Sequence, residues 1–151
     1  QDWLDAYAES HQHPTNKGLH WLCVPVIVIS LVALLATIPM PAALQSVTPW
    51  LHWGSLSLLA ALAYYAVLSP ALAFGMVAVI VVVLVAVAAL AALPVPLLYT
   101  SIGLFVVAWI GQFIGHQIEG EKPSFFEDLQ FLMIGPLWIL AAIYRRAGWT
   151  Y

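Results

Sequence analysis

The chain of 151 residues is 64% hydrophobic and carries only four basic and seven acidic side chains, for a net charge of −3. So few Lys and Arg residues exclude a nucleic-acid-binding protein, because phosphate binding needs several cations on one face. The one cysteine, Cys23, excludes an internal disulfide, and the length predicts a single membrane domain over residues 1–151.

The charged residues all lie outside one long run, from Gly18 to Ile118, which contains no Asp, Glu, Lys or Arg. The core of a soluble protein of 151 residues does not need so long an uncharged stretch. We therefore expect this stretch to be surrounded by lipid. His20 lies near one end of the run and His116 near the other. The sequence therefore predicts an all-α, polytopic membrane helix bundle with histidines at its boundaries.

Four segments along this run have about the length that crosses a bilayer as a helix. The first three stop at proline, where a helix is hard to continue. The last turns of the fourth segment carry Gln112 and His116, which are costly in lipid unless they are partnered, so we expect that end to face protein or the interface. The predicted spans are Leu19–Met40, Trp50–Leu68, Ala71–Leu93 and Leu97–Ile118.

A fifth apolar segment, Leu129–Tyr144, is 16 residues long and is interrupted by Gly135-Pro136. At about 1.5 Å per residue it reaches only about 24 Å, less than the hydrocarbon thickness of about 30 Å. We therefore expect an interfacial or re-entrant helix after four spans. Five spans are the alternative.

The basic residues favour the same topology. With four spans, Lys17 and Lys122 lie on one side of the membrane, and a C-terminal helix that does not cross adds Arg145 and Arg146 to that side. Short loops rich in Lys and Arg stay in the cytoplasm. The sequence thus predicts a multi-pass protein of the bacterial inner membrane or endoplasmic reticulum, with these residues on the cytoplasmic face.

The topology also sorts the histidines. An even number of crossings places His11, His13, His20 and His116 at one membrane face and His52 at the other. Beside Trp50 and Trp53, His52 is typical of the aromatic belt at a membrane interface. We therefore exclude His52 from any site shared with the other four.

Local patterns bring the remaining histidines closer together. Pro14 disfavours helix at His13, and Asn16 is a candidate N-cap for a helix that begins near Lys17. The break permits His11 to converge on His20. In the fourth span, Gln112, His116 and Glu119 are spaced i, i+4, i+7 and project from one stripe of the helix. Gly111 and Gly115 of the same span form a GxxxG step, which is typical of close helix packing.

Imidazole is the commonest neutral metal ligand, and a stripe that adds an amide and a carboxylate supplies groups to orient it. These residues predict a metal site at the cytoplasmic face, and the ligand types favour Fe(II), Zn(II), Mn(II) or Cu(II) in a mononuclear centre. One alternative is a non-enzymatic membrane transporter or lipid-binding protein in which these residues form a structural polar cluster. Another is a haem protein with His20 and His116 as the axial ligands.

The same residues form two motifs. The first motif is Tyr7, His11, Pro14, Asn16 and His20 with Val24-Pro25 after it, and the second is Gln112-Phe113-Ile114-Gly115-His116, Glu119, Pro123 and Gly135-Pro136-Leu137. In this combination they resemble the signatures of the yeast-type Fe(II)-dependent 2-hydroxy fatty acid dioxygenase family, formerly a domain of unknown function.

The resemblance implies an Fe(II) enzyme that uses O₂ for α-oxidation of a membrane-borne long-chain 2-hydroxy fatty acid to the acid one carbon shorter. It implies His11, His20 and His116 as metal ligands, and it places the catalytic roles on the neighbouring polar residues Asn16, Gln112 and Glu119. The chain departs from the family pattern at one point. Gln12 replaces a second histidine there, and His13 follows it. We expect that second histidine not to be an obligatory ligand, with His13 as the alternative.

Overall fold

The computed structural model describes residues 13–120 and 125–149, and every regular element within these ranges is an α-helix. Three of the helices, α1, α4 and α5, are long and apolar enough to cross a membrane. These features agree with the predicted all-α membrane protein. The helices are α1 (Pro14–Ala36), α2 (Ala42–Gln45), α3 (Trp53–Leu68), α4 (Pro70–Ala91), α5 (Leu97–Glu119) and α6 (Phe125–Arg146).

Several residues singled out in the sequence lie outside the described ranges. The most important is His11, one of the three expected metal ligands. The others are Tyr7, Gln12, Lys122 and Pro123.

Helix α1 begins and ends earlier than the predicted Leu19–Met40. It starts at Pro14 because the first position of a helix needs no N–H donor and suits the fixed φ of proline. It stops at Ala36, where both the backbone N–H and the hydroxyl of Thr37 turn back to donate to the Leu34 carbonyl, at 3.1 and 2.7 Å. The chain thus leaves the helix before the prolines that the prediction took as its end.

Helix α3 is shorter than the predicted Trp50–Leu68. Its N-cap, His52, is extended, with φ −148° and ψ 167°, and its Nδ1 accepts a hydrogen bond from the Ser55 N–H at 3.1 Å. The Ser55 hydroxyl accepts from the His52 N–H in return, at 3.0 Å. This capping box starts the helix at Trp53 and leaves 16 residues, about 24 Å, so its role as a span stays a prediction.

Helix α6 is longer than the predicted Leu129–Tyr144. It runs for 22 residues, about 33 Å, and continues through Pro136 rather than breaking there. Neighbouring helices re-satisfy the backbone groups that a proline frees inside membrane helices. Length therefore no longer argues against a crossing, and the choice between four and five spans stays open at this point.

The chain forms two compact units. The central unit, Val28–Phe105, holds a core of Val32 and Ala33 from α1, Leu58 from α3, and Val83 and Val87 from α4. The terminal unit contains the described residues up to Ile27 and from Val106 onward. Helices α1 and α5 contribute residues to both units, and the single-domain prediction remains a prediction.

Large apolar side chains are exposed along the outer surfaces of the helices. Phe74 is 81% and Val67 86% exposed, and on α4 several valines are also more than half exposed. Water would penalise such a surface, whereas lipid does not. The exposed side chains thus support the membrane assignment independently of helix length.

Candidate functional site

The predicted polar residues meet in the terminal unit, where the beginning of α1 lies beside the end of α5. His13 is the N-cap of α1: its carbonyl accepts from the Lys17 N–H at 3.0 Å and its Nδ1 accepts from the Thr15 N–H at 3.2 Å. The prediction that Asn16 caps this helix is therefore wrong. Because Pro14 takes the first helical position, the cap falls on the residue before it, and Asn16 lies inside the first turn.

The carboxylate of Glu119 joins the two helices. Its oxygens accept from the backbone N–H of His13, at 2.9 and 3.0 Å, and Oε2 also accepts from Nδ2 of Asn16 at 2.8 Å. A negative charge at a helix N-terminus is further stabilised by the unpaired N–H groups of that end. Glu119 thus holds the end of α5 against the beginning of α1 by hydrogen bonds.

Asn16 is completely buried, and glycine makes room for it. Its Oδ1 lies against Gly115, so closely that a Cβ at Gly115 would collide with it. One turn earlier on α5, a Cβ at Gly111 would lie 2.6 Å from Sγ of Cys23, which is 6% exposed. The GxxxG step therefore packs against α1 as predicted, and Cys23 is a small buried residue.

The two imidazoles of His20 and His116 lie against each other. Their ring centroids are 5.2 Å apart with an interplanar angle of 79°, and the residues are only 3% and 6% exposed. Nδ1 of His20 lies 3.0 Å from the Asn16 carbonyl oxygen. A carbonyl only accepts, so Nδ1 carries the proton of neutral His20 and Nε2 carries the lone pair.

Gln112 follows on the same stripe of α5, one turn from His116. It is 5% exposed, and its buried Nε2 has no hydrogen-bond partner in the described structure. Oδ1 of Asn16 is buried without a partner in the same way. Buried amide groups are normally satisfied, so these two mark a polar interior that the described protein groups leave incomplete.

The structure brings together most of the residues predicted for the site. His20, His116, Asn16 and Glu119 lie where α1 and α5 meet in the terminal unit, and Gln112 is buried one turn from His116 on α5. The packing role of Cys23 beside Gly111 has no signal in spacing, because it depends on the distance between two helices. His52 belongs to the central unit, where it caps α3.

The donors that are present fit a metal in part. The bond from Nδ1–H of His20 to a backbone carbonyl is the kind that orients a histidine for coordination through Nε2. His13 is different, because its Nδ1 lone pair is engaged by Thr15, and coordination through Nε2 would need the proton at Nδ1. Among the residues whose side chains the structure describes, which leave out 125–134, no three His, Cys, Asp or Glu side chains are grouped for a metal ion. A third ligand therefore has to come from elsewhere, and His11 lies outside the described residues.

Comparison with known protein families gives a match over nearly the whole chain. The family model described as "2-hydroxy-palmitic acid dioxygenase Mpo1-like" matches residues 1–147. No curated protein and no solved structure matches the chain. The matched range contains both groups of residues on which the resemblance rests.

Proposed function

Because the chain belongs to the 2-hydroxy-palmitic acid dioxygenase Mpo1-like family, we propose that it is an Fe(II)-dependent membrane dioxygenase. Its substrate would be a long-chain 2-hydroxy fatty acid, which it would shorten by one carbon with O₂. The observation that carries the metal assignment is the buried pair of imidazoles, His20 and His116, with the ring of His20 oriented by a backbone carbonyl.

His20 and His116 would hold the metal, with His11 as the third ligand implied by the family resemblance. When bound, Fe(II) supplies a place where O₂ and the oxygens of the substrate meet. The carbonyl of Asn16 keeps the proton of His20 on Nδ1, which maintains the coordinating tautomer. Burial of both rings excludes water from the reacting groups.

The polar neighbours have separable roles. Gln112 offers a buried N–H donor one turn from His116, suited to a carboxylate oxygen of the substrate. Glu119 acts by position: it fixes Asn16 and the start of α1, and through Asn16 it fixes the ring of His20. Gln112 is thus the candidate for substrate contact, and Glu119 is a positioning residue.

We also propose four spans, with α6 lying at the membrane face that carries the site. At the C-terminal end of α6, the guanidinium of Arg146 lies 5.4 Å from the ring centre of Trp21, in the second turn of α1. The C-terminal end of α6 thus lies near the beginning of α1, the same helix end that Glu119 of α5 contacts. A helix of about 33 Å that crossed the bilayer would end on the far side.

Labelling with a membrane-impermeant maleimide tests this topology in sealed vesicles, in a Cys23→Ala background. We expect Thr15→Cys and Ala147→Cys, both exposed positions, to react from the same side, and Ala43→Cys to react from the other. Reaction of Ala147→Cys from the side of Ala43→Cys would establish a crossing by α6 and overturn the four-span proposal.

The enzymatic proposal is tested with protein purified anaerobically in detergent. We expect stoichiometric iron by elemental analysis, and conversion of a long-chain 2-hydroxy acid to the acid one carbon shorter when O₂ is added. His20→Ala and His116→Ala should each lose both iron and turnover. His13→Asn is the matched control: asparagine also caps helices, so this variant should keep the iron.

Two results would contradict the proposal in different ways. Bound iron without the shortened product would refute the substrate and leave the metal site standing. Protein that holds no transition metal and keeps its full stability in chelator would instead identify a structural polar cluster in a non-enzymatic membrane protein.

A further inference from the structure

The central unit contains a cavity that is separate from the histidine pair. Its volume is about 640 Å³, within the range of about 300–1,000 Å³ that is usual for ligand pockets. Every residue that lines it belongs to Val28–Phe105. The lining comes from the end of α1, the segment of residues 48–52, the second half of α4 and the start of α5.

One wall of the cavity is an apolar stripe of α4. Leu84, Val87, Ala88 and Ala91 line it, and their spacing of i, i+3, i+4, i+7 places them on a single helical face. The small side chains of the two alanines leave space beside the two larger residues. Such a stripe is suited to an extended acyl chain that lies along the helix.

The polar groups at the cavity are hydrogen-bond donors. Nδ1 of His52 accepts from Ser55, so the proton of neutral His52 is on Nε2, which has no hydrogen-bond partner among the described residues. The hydroxyl of Thr48 already accepts from the backbone N–H of Trp50 at 3.3 Å, which leaves its own proton to donate. The indole N–H of Trp50 only donates.

Charge limits the chemistry of the ligand. The central unit contains no Asp, Glu, Lys or Arg, since the uncharged run covers it entirely. An anionic head group bound here would lose hydration without gaining a cation. An ester or amide carbonyl, in contrast, needs only donors.

From these observations we propose that the cavity binds an uncharged acyl lipid, with its carbonyl oxygen at His52, Thr48 and Trp50 and its chain along the stripe of α4. This site is independent of the dioxygenase proposal, because it uses none of the residues of the terminal unit. It assigns His52 a binding role in addition to the cap on α3.

The test uses the full chain in phosphatidylcholine nanodiscs, with a dibrominated monoacylglycerol as the probe. Bromine quenches tryptophan at short range, and the signal of Trp50 is the difference between the wild type and Trp50→Phe. We expect this difference signal to be quenched at a low mole fraction of probe and to saturate. Ala88→Phe fills the cavity and should raise the half-saturating mole fraction at least tenfold.

Two substitutions of His52 separate the donor from the cap. Both Asn and Asp accept from the N–H of a first helical turn, so α3 keeps its start in His52→Asn and in His52→Asp. Asn also keeps an N–H donor, whereas Asp offers only acceptors. We expect saturable quenching to persist in His52→Asn and to be lost in His52→Asp.

Quenching that rises linearly with mole fraction, equally in the wild type and in Ala88→Phe, would show contact with bulk lipid and overturn the site. The corresponding dibrominated fatty acid, ionised at about pH 9, should give only this linear component. Saturation by the ionised acid at the same mole fraction as the monoacylglycerol would refute an uncharged ligand.

Discussion

Replacement of Gly115 by alanine tests the contact on which the site depends. The new methyl group would collide with Oδ1 of Asn16, which is fully buried and cannot move away without breaking its 2.8 Å hydrogen bond to Glu119. Overpacking costs about 1–3 kcal/mol, and loss of a hydrogen bond to a carboxylate costs about 1.5–3 kcal/mol. The better helix propensity of alanine returns about 1 kcal/mol. We therefore expect a net destabilisation of about 1.5–5 kcal/mol.

The matched control is Gly103→Ala in the same helix. A Cβ at Gly103 meets nothing within 4 Å, so only the gain in helix propensity remains, and this variant should be stabilised by about 0.5–1 kcal/mol. Thermal unfolding in detergent, followed by tryptophan fluorescence, measures both variants against the wild type. Iron content should fall in Gly115→Ala, because Asn16 also orients His20. If Gly115→Ala unfolds at the temperature of Gly103→Ala or above it, the close approach of α1 and α5 is refuted.

Three further outcomes follow from single contacts. The carboxylate of Glu119 accepts from two N–H groups, whereas the glutamine of Glu119→Gln has an N–H donor in place of one oxygen. We therefore expect the free energy of unfolding, measured by denaturant titration, to fall by about 1–3 kcal/mol. An unchanged midpoint would contradict the hydrogen bonds between α5 and α1. Burial lowers the pKa of His52 below its ordinary value of 6.5, and its Nδ1 must stay unprotonated to cap at Ser55. The unfolded state then binds more protons, so the stability this residue provides is present above about pH 6.5 and is lost as the pH falls towards the lower folded pKa. The unfolding midpoint of the wild type should therefore fall relative to that of His52→Asn on acidification, and a difference independent of pH would refute this. Gly54→Ala should lower the unfolding temperature, because a Cβ there would collide with the backbone of α1; wild-type stability would show that the two helices are farther apart.

Much of the fold is readable from the sequence because lipid imposes a simple rule. The uncharged run predicts the apolar helices, and Pro96 together with the end of the run bounds the fourth of them, so the predicted Leu97–Ile118 differs from α5 by a single residue. Errors arise where a local contact overrides this rule. The capping box of His52 shortens α3, and α6 passes through Pro136, where the sequence predicted a break. Neither effect is visible in hydropathy.

The candidate site divides in the same way. The sequence by itself determined which residues share a face: the stripe of Gln112, His116 and Glu119 follows from helical spacing, and the joining of His20 to His116 follows from counting crossings.

Only the tertiary structure decided what each group does there. It makes His13 the cap, buries Asn16 against Gly115, and sets the tautomer of His20. The physical reason is that spacing along one helix fixes direction alone, whereas a hydrogen bond or a collision depends on a few tenths of an ångström between two helices. That distance is set by the glycines of α5 and becomes known only when both helices are in place.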